Sequence, residues 1–249
     1  MVHGATLSSD QLPATPTQVM CMRSILYAEV IGSVLWPVVV SRPDVAFTVS
    51  LLSQFIQNPG PVHWEALKWV IVYLGSTKDL WLTFGGRSKL LAKGYCDADC
   101  GGQKHCHSIS GYPFHMGGGA ISWSSRKQHI VTLSSMEAEY VAQTHVAKEA
   151  LWLPSFIGEI QGACRESISI NCDNQGAIAL SKDNKFHVQT KHIDIHYHFI
   201  HEVVEDGKIQ VEYIPTDNNV ADIFTKPLAK TKFCHFIELL GLQRPVRNR

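Results

Sequence analysis

The sequence predicts an α/β fold in which helices flank a mixed sheet of five strands, and three observations lead there. From Leu91 the chain shows three short extended runs, Leu91 to Ala98, Gly111 to Met116 and Ala120 to Ser125, divided by glycine and polar turns. An amphipathic helix follows from Met136 to Leu153. Two further strands, Ser167 to Cys172 and Lys208 to Ile214, then alternate with helical stretches. Three strands followed by alternating helices and strands describe a layered α/β sandwich.

The bulk composition supports a packed protein. The 249 residues are 45% hydrophobic, enough for one large or two modest cores. Lys plus Arg and Asp plus Glu number 22 each, so no net basic charge advertises a nucleic-acid partner, although a local groove remains compatible with that balance. Seven cysteines without a short-range framework suit reduced thiols and an intracellular location, cytoplasmic or nuclear. Residues 1–22 read as a flexible tail, rich in Ser, Thr and Pro. The apolar run Ile25 to Val40 is short and carries Glu29 and Pro37, so no membrane partner is expected.

Taken in order, the first elements are helical. Ser41-Arg42-Pro43-Asp44 is a helix start, with Pro43 where its missing N–H costs nothing, and Val45 to Ile56 continues at helical spacing. Asn58-Pro59-Gly60-Pro61 breaks the chain, a helix from His63 to Leu74 follows, and Leu80 to Phe84 forms a short strand. Trp64 and Trp69 are expected to be core aromatics. After the three strands and the Met136 helix, Asp173-Asn174-Gln175 turns the fourth strand into a short helix ending at Leu180. Lys191 to Glu205 and Ala221 to Leu228 are the remaining predicted helices.

The helix from Met136 poses a chemical question. Its apolar stripe comprises Met136, Tyr140, Ala142, Val146, Ala147, Ala150, Leu151 and Leu153. At 100° per residue Glu139 falls within roughly 35° of the stripe's centre and Glu137 on the order of 120° away. Glu137 therefore suits first-turn charge beside a capping Ser134 or Ser135. Glu139 faces the core and requires a partner. Asp97 closes the first strand, Asp173 lies just past the fourth, and Asp222 opens the last helix. If the first and fourth strands are neighbours, these acids meet at one edge. Like charges so close call for a cation, and an all-carboxylate set suits Mg²⁺ or Mn²⁺. Two such ions about 3.5–4 Å apart are a known arrangement for phosphodiester hydrolysis.

Several ordered blocks also resemble a known family. Gly94-Tyr95-Cys96-Asp97-Ala98-Asp99, Ser110-Gly111-Tyr112, Ile121-Ser122-Trp123-Ser124-Ser125, Ser134-Ser135-Met136-Glu137-Ala138-Glu139-Tyr140, Cys172-Asp173-Asn174-Gln175, Lys191-His192-Ile193-Asp194-Ile195 and Ala221-Asp222-Ile223-Phe224-Thr225-Lys226-Pro227 look like the ribonuclease H domain of copia-type retrotransposon polyproteins. Ile31-Gly32-Ser33, Ser41-Arg42-Pro43-Asp44-Val45-Ala46, His63-Trp64 and Tyr73-Leu74 are similar to the tail of the upstream reverse transcriptase. No Tyr-x-Asp-Asp polymerase motif occurs.

The resemblance implies a ribonuclease H-like mixed sheet over residues 91–230, a helical reverse-transcriptase remnant over 23–90 and a tail over 231–249. It implies hydrolysis of RNA in RNA–DNA hybrids with two ions held by Asp97, Glu139, Asp173 and Asp222. Asn174 and Gln175 take the positions that touch the hybrid, and other polyprotein parts become candidate partners. The alternative is an inactive or domesticated remnant that binds nucleic acid or a partner. Departures from the family pattern are Cys100 in place of a Trp, Pro113 within a strand, Pro37 within a helix, and Trp69, Val72, His196 and His201 in place of basic residues. His192 and His196 have the i, i+4 spacing of a zinc-binding helix but no Glu between them and no third ligand, and Cys96, Cys100 and Cys106 with His107 form no Cys-x-x-Cys pair, so neither set is read as a zinc site.

Overall fold

The computed structural model describes residues 7–85, 91–100, 107–161, 167–182 and 194–245. Its chain divides into two compact units, Met1–Thr83 with Lys226–Arg249, and Phe84–Thr225. No single helix among the described residues is long and apolar enough to cross a membrane.

The first unit is helical, with α1 (Pro16–Arg23), α2 (Tyr27–Val40), α3 (Ala46–Ser53) and α4 (Pro61–Ser76). The expected amino-terminal tail is therefore partly a helix. Thr15 and Gln18 satisfy the exposed amides at its start through a capping box. Pro37 lies inside α2, and its carbonyl receives both Ser41 N–H (2.9 Å) and Arg42 N–H (2.8 Å) as the helix closes. The Arg42-Pro43-Asp44 block forms a corner. Arg42 holds the Asp44 carboxylate at 2.9 and 2.8 Å, Tyr73 on α4 donates to the same carboxylate at 2.6 Å, and Arg42 reaches the Thr77 carbonyl at 3.2 Å. Arg42 and Asp44 are buried, so the ion pair needs every one of these bonds.

Trp69 differs from expectation, being 66% exposed. The inward face of α4 is His63, Leu67 and Val70, and Trp69 points about 200° away from Leu67 around the helix. Strand β1 (Trp81–Leu82) pairs antiparallel with a strand near the chain end, Leu242–Gln243. Between these strands in sequence, Lys230–Leu239 is a helix that buries Phe236 and Ile237, so residues 231–249 include regular structure where a tail is expected.

The second unit is the predicted α/β sandwich. Strands β2 (Lys93–Asp99), β3 (His107–Met116), β4 (Gly119–Val131), β5 (Ile168–Cys172) and β6 (Ile209–Tyr213) form one sheet in the order β4-β3-β2-β5-β6. The β2–β3 and β3–β4 pairs are antiparallel, and β2–β5 and β5–β6 are parallel. This is the mixed five-stranded sheet that the sequence predicts. Gly117 and Gly118, with φ of 62° and 87°, make the two-residue turn between β3 and β4 that L-residues with side chains adopt poorly. Pro113 lies in the gap of the β2–β3 ladder between the Gly94–Phe114 and Asp97–Gly111 pairs, where its missing N–H is tolerated.

Helices α5 (Ser135–Gln161), α6 (Gln175–Lys182) and α7 (Asp194–Glu205) complete this unit. The core joins Tyr140, Val146, Ala147, Ala150 and Leu153 of α5 to Cys96, Phe114, Ile168, Ile170 and Cys172 of the sheet. The predicted helix Ala221 to Leu228 is instead a 3-10 turn, Val220–Phe224. Asn219 receives Ala221 N–H at 3.2 Å and donates to the Cys96 carbonyl at 2.9 Å, which pins the turn to β2. Pro227 prevents an α-helix from running through it. The Ser134 carbonyl and hydroxyl cap the start of α5, as expected.

Candidate metal centre

Each predicted acid reaches the site from a different element. Asp97 occupies the carboxy-terminal half of β2 and is 2% exposed. Ala98, its neighbour, packs with Ala138 and Ala142, whose small side chains admit α5 close to the strand. That approach brings Glu139, 5% exposed, over the end of the sheet. Asp173 follows β5 directly and is half-buried. Asp222 is fully buried in the 3-10 turn, which packs on β2 and β3.

Two overlapping groups result. Asp97, Asp173 and Asp222 each offer an oxygen within 4.8 Å of the others, and Glu139, Cys172 and Asp173 offer ligand atoms within the same span. Asp173 belongs to both. The acids come from positions up to 125 residues apart, so only the sheet order assembles them. A cation is the ordinary remedy for such crowding, and the oxygen-only triad suits a hard ion.

The electrostatics carry the same strain. Burial pushes the Glu139 carboxyl well above its usual range, and Asp97, Cys172 and Asp173 push it further, against one favourable bond from the Ala98 backbone. Glu137, three residues into the helix, has a different task. Its carboxylate receives Leu133 N–H at 2.5 Å and its own N–H donates to Ser134 Oγ at 3.1 Å, so it helps to close the start of the helix.

Four contributors escaped the sequence-based expectation. Thr225 is buried and its Oγ1 donates a hydrogen bond to Asp97 Oδ2. Gly111 faces the 3-10 turn so closely that a Cβ there would stand 2.6 Å from Phe224 Cβ and 2.8 Å from Thr225 Cγ2. Gln143, one helical turn after Glu139 and 1% exposed, donates from Nε2 to Cys172 Sγ at 3.3 Å. Cys172 itself stands 3.9 Å from Glu139 Oε2, so the acids are not without a soft neighbour. Thr225 and Gly111 sit inside the quoted motif blocks, which signals them only in hindsight.

The other predicted residues divide. Asn174 Oδ1 accepts Ala177 N–H at 3.0 Å and caps α6, while Gln175 is exposed at the first residue of that helix. Cys96 is buried and Cys100 exposed; Cys106 and His192 lie outside the described residues, as does the side chain of His196.

No family model matches the chain. Its sequence is 43% identical over 237 residues to the retrovirus-related Pol polyprotein from transposon TNT 1-94 of Nicotiana tabacum, covering 95% of this chain and 18% of that protein. It is 36% identical over 219 residues to the corresponding polyprotein from transposon RE1 of Arabidopsis thaliana, covering 88% of this chain and 15% of that one. The chain belongs to the retrovirus-related Pol polyprotein family of transposons. It spans less than a fifth of these Pol relatives' length. Among solved structures it is similar to the ribonuclease H1 LC11 isolated from compost, at 15% identity and a TM-score of 0.42 over 55% of this chain and 94% of that one.

Proposed function

We propose that the chain is the ribonuclease H part of a transposon Pol polyprotein and hydrolyses the RNA strand of RNA–DNA hybrids with two divalent ions, Mg²⁺ or Mn²⁺. The observation that supports this most is the group of three aspartates, two of them buried, whose oxygens lie within 4.8 Å. Burying such a cluster without a cation is costly, and nothing in ordinary packing calls for it.

In this reading Asp173, common to both groups, would serve as a ligand at both positions. Asp97 and Asp222 complete one and Glu139 the other. Bound divalent ions supply an activated water and neutralise charge on the phosphodiester. The chain's own part is to hold the carboxylates fixed: Thr225 orients Asp97, the Asn219-pinned turn carries Asp222, and the Ser134 cap fixes the start of α5, the helix that aims Glu139 inward. Asn174 and Gln175, at the start of α6 beside Asp173, contact the hybrid. Other parts of the polyprotein are the expected partners.

The test is cleavage of a labelled RNA–DNA hybrid by the purified chain with Mg²⁺ or Mn²⁺, beside D173N. Cutting by the wild type and none by D173N supports the proposal. A folded wild-type chain that leaves the hybrid intact refutes it and supports the alternative of a non-catalytic binding remnant.

A further inference from the structure

We propose that Glu139, Cys172 and Asp173 form a mixed oxygen and sulfur site for a thiophilic divalent ion of the Zn²⁺ class, overlapping the all-aspartate group through Asp173. This rests on the reading of Glu139 and Asp173 as cation ligands and adds a donor of different chemistry.

The distances suit such an ion. The three ligand atoms lie within 4.8 Å of one another, and Cys172 Sγ is 3.9 Å from Glu139 Oε2. Tetrahedral zinc, with bonds of about 2.3 Å to sulfur and 2.1 Å to oxygen, sets neighbouring ligands roughly 3.4–3.6 Å apart. Side-chain adjustments on the order of 1 Å therefore close the site.

Gln143 provides the independent observation. It is 1% exposed, its Nε2 donates to Cys172 Sγ at 3.3 Å, and its Oε1 has no hydrogen-bond partner among the described residues. A buried amide that leaves its own oxygen unsatisfied to place an N–H on a sulfur is poorly explained by packing. It is well placed to support a thiolate, as partners behind a metal ligand do.

Sulfur decides the selectivity. A thiolate binds Zn²⁺, Cd²⁺ or Co²⁺ far better than Mg²⁺, whereas the three aspartates offer only hard oxygens. On binding, the thiol proton passes to solvent and a metal–sulfur bond forms. An ion held there occupies Glu139 and Asp173 and so competes with a hard ion for the same carboxylates.

Titration of the purified full chain with Co²⁺ reads this directly through the near-ultraviolet charge-transfer band of a cobalt–thiolate bond. The band is expected in the wild type, is displaced by Zn²⁺, is retained in C96S and is lost in C172S. Q143L is expected to bind Co²⁺ about 10–100-fold more weakly, the usual effect of removing a supporting partner. No band in a wild-type chain shown folded by circular dichroism, or an unchanged band in folded C172S, overturns the proposal. If C172S does not fold, Q143L decides: unchanged Co²⁺ affinity there overturns it. A chain that shows the Cys172-dependent band yet never cuts a hybrid with Mg²⁺ keeps this site and overturns the proposed function. The reverse pattern overturns this site alone.

Discussion

Replacing Thr225 by valine tests whether the buried acids are held by design. The substitution keeps the shape and removes one hydroxyl, so it leaves no cavity. What it takes away is the hydrogen bond from Oγ1 to Asp97 Oδ2, between groups 0% and 2% exposed. A hydrogen bond to a charged group contributes about 1.5–3 kcal/mol, and water does not readily replace it at this depth. T225V is therefore expected to lose about 2 kcal/mol, a fall of roughly 4–8 °C in Tm for a chain of this size. Asp97 also loses its orientation, so Mg²⁺ affinity is expected to drop about 10–100-fold. T225S, which keeps the hydroxyl, should recover most of that affinity. Thermal melts with and without Mg²⁺, and a Mg²⁺ titration by calorimetry, measure both quantities. A T225V chain with wild-type Tm and wild-type Mg²⁺ affinity would refute the positioning role.

Other perturbations separate the remaining contributions. E139Q should abolish hybrid cleavage while E137Q leaves most of it and costs only about 1 kcal/mol of helix capping; equal loss of cleavage from both would show that α5 is rotated differently. In the metal-free chain the raised Glu139 pKa means the folded state binds more protons than the unfolded one, so stability falls as pH rises above the ordinary value of 4.5. E139Q should flatten that slope in urea titrations at several pH values. G111A should push the 3-10 turn outward and destabilise by about 1–3 kcal/mol, with weaker Mg²⁺ binding; an unchanged crystal structure and affinity would contradict the tight approach. His115 is pushed down to about 4 from 6.5 by burial, so the unfolded state binds the extra proton and stability is lost as pH falls from 6.5 toward 4. H115F should remove that part of the acid sensitivity.

Much of the α/β unit was legible because its signals are local. Alternating runs marked the strands, glycine pairs marked the turn at Gly117-Gly118, and 3.6-residue periodicity separated Glu139 from Glu137 before any contact was known. The β4 strand ran on to Val131 against an expected end at Ser125, since pairing with β3 extends a strand past the point where its own pattern fades. Residue type alone places Trp69 in the core, whereas the packed face of α4 is set by which side meets the other helices. The turn at Asp222 read as a helix because its apolar spacing is helical. Asn219 and Pro227 decided otherwise through one long-range hydrogen bond and one missing donor.

By itself the sequence determined the order of strands and helices of the α/β unit through β6, the inward rotation of Glu139 and the four acids worth examining. These follow from periodicity and residue chemistry within short windows. Only the tertiary structure decided that Asp173 is shared by two groups, that Thr225 and Gly111 support Asp97 and Asp222, and that Cys172 with Gln143 stands beside Glu139. Those relations depend on the parallel pairing of β2 with β5 and on a turn anchored 123 residues away, and no local pattern encodes a contact of that kind.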